Sequence, residues 1–395
     1  MRPEDFTPGA PGQLIRATGA RGEHWSFLPA PLPPDLTIDR VVATAVSEAD
    51  RALGELAGVG RHVANPQMLI RPFIRREAVL SSRIEGTRAD LADVYAFEAG
   101  QQPWGEDVDD VREVANYVRA TEAGLSSLAD GRSMSSALLR ELHRVLLTGV
   151  RGEEDRPGAF RDCPVYIGST PDLDDARFVP PPATHLADVL EAFDAYLRVP
   201  HDYPPVMRLA MLHYQFEAIH PFRDGNGRIG RLLVGLLVVH WQLLPLPLLY
   251  LSAYLERNRR AYYDHLLAVS TRGAWRDWVV FFATGIAEQA RDAADRAKRL
   301  QDLHRQWRDQ IESGTHVSAG LLKTVDHLFQ QPLIDAVRVE KLAGVSHPTA
   351  LNILRRLTQL GFIKELTGRE RGQLFRADPV VQVVSNDPLR SSPYK

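Results

Sequence analysis

The residues best suited to chemistry lie between positions 220 and 231, in the sequence HPFRDGNGRIGR, directly before the apolar run Leu232–Val239. Gly225 and Gly227 flank Asn226 and tolerate positive φ, which lets the backbone approach a ligand closely. Their N–H groups, placed just before a helix, form a concavity that binds anions. The helix N-terminus adds roughly half a positive charge to that concavity. The spacing therefore predicts a phosphate-binding loop.

The charged side chains of this loop suit phosphoryl or nucleotidyl transfer. Arg228 and Arg231 lie three residues apart in the predicted first helical turn, so both guanidinium groups can face one anion. Asp224 would repel a phosphate unless a cation lay between them, which implies Mg²⁺ on a polyphosphate. His220 is the candidate general base, because histidine accepts protons near neutral pH. A Walker-type loop is excluded because no Gly-Lys-Ser/Thr follows, and further ligands at zinc spacing are absent from the sequence.

Composition limits the class of protein. The chain has 395 residues, enough for two or three domains. It is 44% hydrophobic and 25% charged, as in globular proteins, and its net charge of −3 gives no global indication of nucleic-acid or membrane binding. The single cysteine, Cys163, excludes an intrachain disulfide and favours a reducing compartment. Because the N-terminus lacks the apolar region of a secretory signal, we expect a cytoplasmic protein.

One apolar stretch, 232–251, raises the question of a membrane span. His240, Gln242 and two prolines interrupt it, so the uninterrupted run is only eight residues long. A span needs about 20 apolar residues. We therefore expect a buried core helix and no membrane partner.

Periodicity and turn residues divide the chain into three predicted regions. Residues 1–60 comprise a Pro- and Gly-rich extended arm and a helix, residues 61–313 a mainly helical catalytic domain, and residues 314–395 a separate C-terminal domain. Within the helical domain, strand formers at 165–167 and 177–179 flank turn residues and predict a short β-hairpin. The fold class is therefore mainly α.

The C-terminal region has the pattern helix, helix, helix, hairpin, which resembles a winged helix-turn-helix. Ser346 fits the N-cap of the third helix, Ala350 and Leu354 its buried face, and Gly361 its end. Such a helix can enter the major groove of DNA, but the same fold also serves protein docking or dimerisation. DNA and a second copy of the chain are thus both candidate partners. The cationic side chains of this region's third helix and wing are Arg355, Arg356, Lys364, Arg369 and Arg371.

The loop also resembles that of a known family. HPFRDGNGRIGR matches the Fic signature, His-Pro-Phe-x-Asp/Glu-Gly-Asn-Gly/Lys-Arg-x-x-Arg, without departure. PFIRREAVLSSRIEGT upstream, PGAFR at 157–161, the predicted hairpin and LSAYLERNRRAYYDHL downstream are also similar to Fic proteins, so the resemblance covers most of the chain. It implies a Fido fold, helical with a short β-hairpin flap. It also implies transfer of AMP from ATP to a hydroxyl of a protein target or of the chain itself.

The resemblance assigns roles to these residues. His220 would take the proton from a Ser, Thr or Tyr hydroxyl that attacks the α-phosphorus, and Asp224 would hold Mg²⁺ between the α- and β-phosphates. Asn226 would hold phosphate oxygens, Arg228 would bind the departing diphosphate, and Phe222 is expected to anchor the loop in the core. The residues expected to bind ATP are Gly225, Asn226, Gly227, Arg228, Ile229, Gly230, Arg231, Tyr262 and Tyr263. The alternative for Tyr262 and Tyr263 is that one or both are aromatic residues of the core and do not contact the nucleotide. The residues expected to form the flap, which aligns the target by β-augmentation, are Val165, Tyr166, Ile167 and Gly168.

A second motif lies upstream. Ser81 and Glu85 are one helical turn apart and Gly86 can end the helix, which alone describes an ordinary helix terminus. In the family, Ser/Thr-x-x-x-Glu-Gly/Asn is an inhibitory motif whose Glu pairs with the second arginine of the signature, here Arg231. Arg231 cannot bind both Glu85 and the γ-phosphate, and Glu85 would itself repel that phosphate. The resemblance therefore implies a self-inhibited enzyme, with an inhibitory helix near residues 69–86.

Other functions stay open from sequence alone. The fold also supports other nucleotide donors, and an inhibitory Glu can position water for removal of AMP. The intact Asp-Gly-Asn-Gly favours a nucleoside triphosphate with Mg²⁺ over the phosphotransfer variants, which typically carry Lys at the second Gly. In a different class of function, the chain would be a DNA-binding regulator whose Fic domain only senses nucleotide.

Overall fold

The computed structural model describes residues 1–19, 22–61, 63–100, 108–168, 176–199, 202–314 and 318–385. Helices dominate these residues, which confirms the mainly α prediction. The helices are α1 (Arg40–Arg61), α2 (Gln67–Ile84), α3 (Leu91–Glu98), α4 (Val108–Ala129), α5 (Ser136–Leu147), α6 (Leu186–Arg198), α7 (Pro205–Ile219), α8 (Asn226–His240), α9 (Ser252–Arg257), α10 (Arg259–Arg272), α11 (Trp275–Glu312), α12 (Ala319–Leu328), α13 (Ala336–Ala343), α14 (His347–Gln359) and α15 (Asp378–Ser385). The strands are β1 (Gly12–Gly19), β2 (Gly22–Pro29), β3 (Leu333–Asp335), β4 (Lys364–Glu365) and β5 (Leu374–Arg376).

The chain forms two compact units. The first comprises Met1–Gly54, Asn116–Leu244 and Leu249–Ala290, and the second comprises Glu55–Ala115, Pro245–Leu248 and Arg291–Lys395. The candidate catalytic loop belongs to the first unit, whereas α2, the predicted inhibitory helix, belongs to the second. The domain boundaries expected near residues 60 and 313 stay predictions.

Helices α7 and α8 pack against each other in the core of the first unit. Helix α7 begins at Pro205, a favourable first-turn residue because its missing N–H would have no helical partner there. The leucines of α8, among them Leu232, Leu233 and Leu236, are buried, and each contributes about 1.5–3 kcal/mol. The apolar run is therefore core, as expected. In the described part of the chain, no helix combines the length and apolar character needed to cross a bilayer.

The N-terminal region is not the extended arm expected from its Pro and Gly content. Strands β1 and β2 form a fully paired antiparallel hairpin between residues 12 and 29. Phe27 of β2 is buried, its N–H donates to the Val179 carbonyl (2.9 Å), and its ring centroid lies 5.7 Å from that of Phe178. Pairing removes these aromatic surfaces from water, which an extended arm would not do. Gly12, Gly19 and Gly22 lie at the ends of these strands, and in the sequence they indicated an irregular segment instead of paired strands.

The predicted hairpin of the catalytic region is present as a single antiparallel bridge. The N–H of Ile167 donates to the Phe178 carbonyl (2.8 Å), and the N–H of Phe178 donates to the Ile167 carbonyl (3.1 Å). Gly168 directly follows Ile167, and the predicted turn, residues 169–175, lies outside the described residues. The base of the flap lies beside β2, because Val179 accepts the hydrogen bond from that strand.

In the second unit, α2 packs against α3 and α15. Arg296 of α11 donates to the carbonyl groups of Val383 (2.7 Å) and Val384 (3.0 Å) in the last turn of α15. Arg296 also pairs with Asp292 (2.8 Å), and Asp292 lies 3.5 Å from Arg76 of α2. These contacts connect the predicted inhibitory helix to α15.

Residues 318–377, here called the C-terminal module, contain α12, α13, α14 and a sheet with the order β3-β5-β4. Both strand pairings are antiparallel. Ser318 and Asp335 accept hydrogen bonds from backbone N–H groups in the first turns of α12 and α13 and so cap these helices. The three helices and the β4–β5 pair occur in the predicted order, and β3 is an additional strand that the sequence pattern did not predict. The winged helix interpretation stays a prediction.

Candidate active site

The candidate general base, His220, lies immediately after α7, with a left-handed backbone (φ 49°, ψ 61°). A side chain other than glycine rarely adopts this conformation, and here it turns the chain away from the helix axis. The ring Nδ1 lies 3.3 Å from the carbonyl oxygen of Glu217. Because a carbonyl oxygen only accepts, Nδ1 carries the proton, and in the neutral ring Nε2 then carries the lone pair. The ring is therefore in the tautomer that proton abstraction by Nε2 requires.

Asn226 holds the shape of the loop through two hydrogen bonds to one residue. Its Oδ1 accepts from the backbone N–H of Phe222 (2.8 Å), and its Nδ2 donates to the Phe222 carbonyl (2.9 Å). The predicted contact of Asn226 with a nucleotide phosphate stays a prediction. Phe222 itself is fully buried, which confirms that it anchors the loop in the core.

The start of α8 carries the predicted anion-binding groups. The helix begins at Asn226, two residues before the predicted start near Arg228. Gly225 precedes it with φ 76°, so this glycine needs the left-handed freedom, whereas Gly227 lies in the first helical turn. The first N–H groups of a helix have no intrahelical partner and carry the positive end of its dipole. A phosphate placed there would be stabilised by both effects.

Asp224, Arg228 and Arg231, the charged residues of the loop with an expected role, differ in exposure. Arg228 and Arg231 are 1% and 4% exposed, whereas the Asp224 carboxylate is 43% exposed. The guanidinium of Arg228 lies 3.4 Å from Oδ2 of Asp224. Within the described ranges, no three His, Cys, Asp or Glu side chains group into a metal-binding cluster. One accessible carboxylate nevertheless fits Mg²⁺, which commonly takes one or two carboxylates, substrate phosphates and water as its ligands.

Ile229 and Gly230 pack α8 into the core. Ile229 is fully buried, and a Cβ on Gly230 would lie 2.4 Å from a carboxylate oxygen of Glu217 on α7. The absence of a side chain at Gly230 therefore lets the two helices approach closely. The contacts of both residues with ATP stay predictions.

The two tyrosines of α10 have different environments. Tyr262 is 1% exposed, and its hydroxyl lies 2.9 Å from Nε2 of His213, whose Nδ1 lies 3.1 Å from the Gly230 carbonyl. Since Nδ1 must donate to that carbonyl, Nε2 accepts the tyrosine proton, and burial lowers the pKa of His213 to about 3. Tyr262 thus connects α10 to α8 within the core. Tyr263 is half-buried, so it is the one with ring area open to a nucleotide base.

Sequence reasoning missed His143, which supports the loop from α5. Its ring stacks on that of Phe222, with centroids 3.8 Å apart and planes 4° apart. Its Nδ1 accepts from the N–H of Gly158 (2.9 Å), and Nε2 donates to the Asp224 carbonyl (3.0 Å). Both bonds need a neutral ring, and burial lowers the pKa of His143 to about 4. Within the sequence this histidine appears only as part of an amphipathic helix.

Arg161 was also missed as an individual residue, although it is the last residue of PGAFR. It is buried, and its guanidinium donates to the carbonyl groups of His220 (2.8 Å), Ile219 (3.3 Å), Cys163 (3.3 Å) and Pro181. Burial lowers its pKa to about 10, so it stays protonated at neutral pH. The guanidinium of Arg161 therefore positions both His220, the candidate general base, and the chain at the two ends of the flap.

Arg223 occupies the variable position of the signature and had no expected role. Its guanidinium lies 2.6 Å from Asp162, directly after PGAFR, and Arg156 pairs with the same carboxylate. The hydrogen bond from Arg223 holds the pKa of Asp162 below its usual range. In addition to the contacts made by His143 and Arg161, this ion pair attaches the loop at the protein surface to the residue that follows PGAFR.

The described flap residues lie at the surface near the bridge. Tyr166 is 40% exposed, Gly168 is exposed, and Val165 and Ile167 are half-buried. These residues are therefore at least partly accessible to solvent. Docking itself stays a prediction.

The predicted inhibitory motif ends α2. Ser81 is buried in the helix, Glu85 is the exposed C-cap residue, and Gly86 follows with φ 103°. The N–H groups of Glu85 and Gly86 donate to carbonyl groups of the last turn (3.0 Å each). Gly86 therefore ends the helix as expected. The pairing of Glu85 with Arg231 stays a prediction.

Solved structures place this arrangement in a known fold class. A Fic family protein from Desulfovibrio desulfuricans aligns with a TM-score of 0.56 at 21% identity, over 91% of this chain and 100% of that one. A Fic domain containing signaling protein from Bacteroides thetaiotaomicron aligns with a TM-score of 0.53 at 18% identity, over 65% of this chain and 97% of that one. Fic-1 from C. elegans gives 0.52 at 21% identity, over 67% and 74%. The described chain therefore has the mainly helical Fic fold.

Two family models and several curated relatives match parts of the chain. The Fic/DOC family N-terminal model matches residues 43–126, and the Fic/DOC family model matches residues 133–238, which include the whole candidate loop. The chain thus carries the domains of the Fic/DOC family, as its loop sequence indicated. Protein adenylyltransferase Fic of Drosophila ananassae is 30% identical over 203 residues, 51% of this chain and 37% of that protein. The protein of the same name from Drosophila melanogaster is also 30% identical over 203 residues, 51% and 38%. The match thus spans less than two fifths of these relatives.

Proposed function

We propose that this chain is a protein adenylyltransferase that moves AMP from ATP to a Ser, Thr or Tyr hydroxyl of a target protein or of itself. The observation that carries the proposal is the geometry of His220. Its Nδ1 donates to the Glu217 carbonyl, so in the neutral ring Nε2 is the nitrogen that would accept the proton, six residues before the start of α8. The names of the curated relatives support the same activity at the level of the family.

In the proposed reaction, the target hydroxyl oxygen forms a bond to the α-phosphorus while the bond from that phosphorus to the bridging oxygen of the diphosphate breaks. The hydroxyl proton moves to Nε2 of His220, a contribution of typically 10²–10⁴-fold for general base catalysis. The N–H groups at the start of α8 stabilise charge on the α-phosphate oxygens, and Arg228 stabilises the departing diphosphate. When bound, Mg²⁺ supplies positive charge between the phosphates, and Asp224 would hold it.

We further propose that Glu85 inhibits this transfer. The support is the match of Ser81, Glu85 and Gly86 to the family's inhibitory motif, together with the exposed position of Glu85 at the end of α2. A carboxylate that occupies the Arg231 guanidinium displaces the γ-phosphate from it and favours an unproductive nucleotide pose. A bias of about 3 kcal/mol toward that pose would lower activity roughly a hundredfold.

The test is label transfer from ATP carrying the label at the α-phosphate. Wild type, Glu85→Gly, Glu85→Gln and Glu85→Gly/His220→Ala are each incubated with Mg²⁺, and protein-bound label is measured on a gel and by intact mass. We expect weak label in wild type, strong label in both Glu85 variants and none in the double variant. Glu85→Gln separates the loss of the charge from the loss of the helix-end side chain. If label is absent from all four proteins while ATP still binds, transfer of AMP is wrong and a nucleotide-sensing regulator is favoured.

Two further arms distinguish the enzymatic alternatives. Unlabelled CTP, GTP and UTP as competitors reveal a different nucleotide donor, because the preferred donor suppresses the label most. In the second arm, protein that already carries labelled AMP is incubated without ATP. Release of the label would indicate that a water molecule positioned at Glu85 removes AMP. A homodimer and a cytoplasmic location stay predictions.

A further inference from the structure

The C-terminal module contains a helix-turn-helix with a β-hairpin behind it. Helix α13 ends at Ala343, α14 begins at His347, and the connection turns at Gly344, whose φ is 66°. A connection of three residues with a glycine is the usual length for two helices of this motif. Strands β4 and β5 follow α14, and the tip between them carries Arg369 and Arg371, both exposed.

Helix α14 has two chemically distinct faces. Ala350, Ile353, Leu354 and Leu357 are buried and hold the helix on the module. The opposite face is exposed and, apart from Pro348, carries polar or cationic groups suited to hydrogen bonding. Arginine recognises guanine and asparagine or glutamine recognises adenine by paired hydrogen bonds in the major groove. The exposed members of this face are Thr349, Asn352, Arg355, Arg356 and Gln359.

Charge is segregated along the chain. Residues 318–377 contain nine Lys or Arg and five Asp or Glu, a formal charge of +4, in a protein whose net charge is −3. One of the nine, Arg376, is buried and paired with Asp378, and Glu340 pairs with His347 at the start of α14. The eight cations that remain exposed lie on α12, α13, α14, β4 and the hairpin tip. Local positive potential on a negatively charged protein favours a polyanionic partner.

The surface of the module offers little apolar area to a protein partner. The cores of protein–protein interfaces are enriched in aromatic residues and depleted of most charged residues other than arginine. Within the described residues of the module, Val337 is the one large hydrophobic side chain recorded as exposed, at 52%, and it lies on α13. A single valine does not form an apolar patch.

We propose that the C-terminal module binds double-stranded DNA, with α14 in the major groove and the β4–β5 tip against the phosphate backbone. Asn352 and Arg356 would contact base edges, and Arg369 and Arg371 would contact phosphates. This proposal does not rest on AMP transfer. Its test uses neither ATP nor Mg²⁺, so either proposal can fail while the other stands.

The experiment measures fluorescence anisotropy of the full chain with a labelled random-sequence 25-base-pair duplex at 50–200 mM salt. We expect binding whose log affinity falls with log salt by about 0.9 for each phosphate contact. Arg369→Ala/Arg371→Ala should reduce that slope by about 2. Selection from a random duplex library should enrich a short site, and Asn352→Ala should relax one position of it without changing the slope.

The matched control is Arg305→Ala, an exposed arginine of α11 outside the module, which should leave affinity and slope unchanged. Circular dichroism of each variant confirms that it folds. Absence of duplex binding at 50 mM salt would overturn the proposal, as would binding that Arg355→Ala/Arg356→Ala leaves intact. Preference for single-stranded RNA, or capture of a protein partner that the same variants abolish, would also overturn it.

Discussion

The start of α8 and the exposed face of α14 use the same residue types in opposite ways. Asn226 and Arg228 in the catalytic loop are almost completely buried, whereas Asn352 and Arg355 in α14 are exposed. An arginine side chain carries about 2 kcal/mol of rotamer entropy. In the loop, folding has already removed this entropy, whereas an arginine of α14 would lose it only on binding. A site that makes and breaks bonds needs atoms in fixed places. A surface that binds a long polymer tolerates side chains that become ordered only in the complex.

The comparison therefore predicts large effects for residues that hold the loop and small effects for residues on the α14 surface. The four predictions below run from the largest expected effect to the smallest.

Replacing Arg161 should have the largest effect, because four carbonyl groups lose one buried cation. We expect Arg161→Gln, made in the Glu85→Gly chain, to lower kcat about a hundredfold, since a small displacement of His220 is costly. The KM for ATP should change little, because α8 is intact. We expect Arg161→Lys to rescue the kcat only slightly, because an ammonium cannot contact all four oxygens. Leu197→Ala, a core change away from the loop, is the control for a loss of stability alone. Equal losses of kcat in Leu197→Ala and Arg161→Gln would contradict a positioning role.

Acid should weaken the fold through His143. The pKa of an unfolded histidine is about 6.5, and the folded value is about 4, so the folded state binds fewer protons between these values. The contribution of His143 to stability is complete above pH 6.5 and decreases as the pH falls toward 4, by about 3 kcal/mol in all. Denaturation by urea at a series of pH values measures this slope. His143→Gln should show a shallower dependence, although His213 contributes in the same direction. Identical slopes for His143→Gln and wild type would show that the His143 ring is not held neutral.

The two tyrosines of α10 should separate stability from nucleotide binding. Tyr262→Phe removes a buried hydrogen bond to His213, so we expect a loss of about 1 kcal/mol in the free energy of unfolding. Tyr263→Ala should leave stability nearly unchanged and raise the KM for ATP about tenfold, in line with base–aromatic stacking. Thermal unfolding and initial rates measure both effects. A rise in KM for Tyr262→Phe and none for Tyr263→Ala would reverse the assignment.

Changes on the exposed face of α14 should be nearly silent in the fold. We expect Arg356→Ala to change the free energy of unfolding by less than about 0.5 kcal/mol, as is usual for a surface residue without a special contact. Urea denaturation of this variant beside Leu354→Ala, a buried neighbour on the same helix, measures the contrast. A large loss in the free energy of unfolding of Arg356→Ala would show that this face of α14 is packed in solution. The contrast between a buried loop and an exposed α14 face would then be wrong.

The catalytic loop was predictable because its parts are consecutive. Twelve residues contain the base, the carboxylate, the glycines and two cations, and helical spacing explains how α8 presents them. The buried apolar run after the loop and the end of α2 at Gly86 followed from equally local patterns. The same reasoning predicted the helices of the C-terminal module.

What supports the loop was not predictable, because it depends on contacts between distant residues. Arg161 lies 59 positions from His220, and His143 lies 81 positions from Asp224. Neither has a local pattern that distinguishes it from a surface arginine or an ordinary helical histidine. The hairpin of β1 and β2 was missed for a similar reason, since its stability depends on burial of Phe27 near Phe178.

The packing of α2 on α15 has a consequence for the order in which the chain is synthesised. Ile84 at the end of α2 and Asp378 at the start of α15 are 294 positions apart. At about 5–20 residues per second, a ribosome needs roughly 15–60 s to make the intervening chain. Throughout that interval the nascent α2 lacks the surface of α15, and the loop that ends at Arg231 is made about halfway through it. The catalytic loop therefore leaves the ribosome before the packing partner of the predicted inhibitory helix exists.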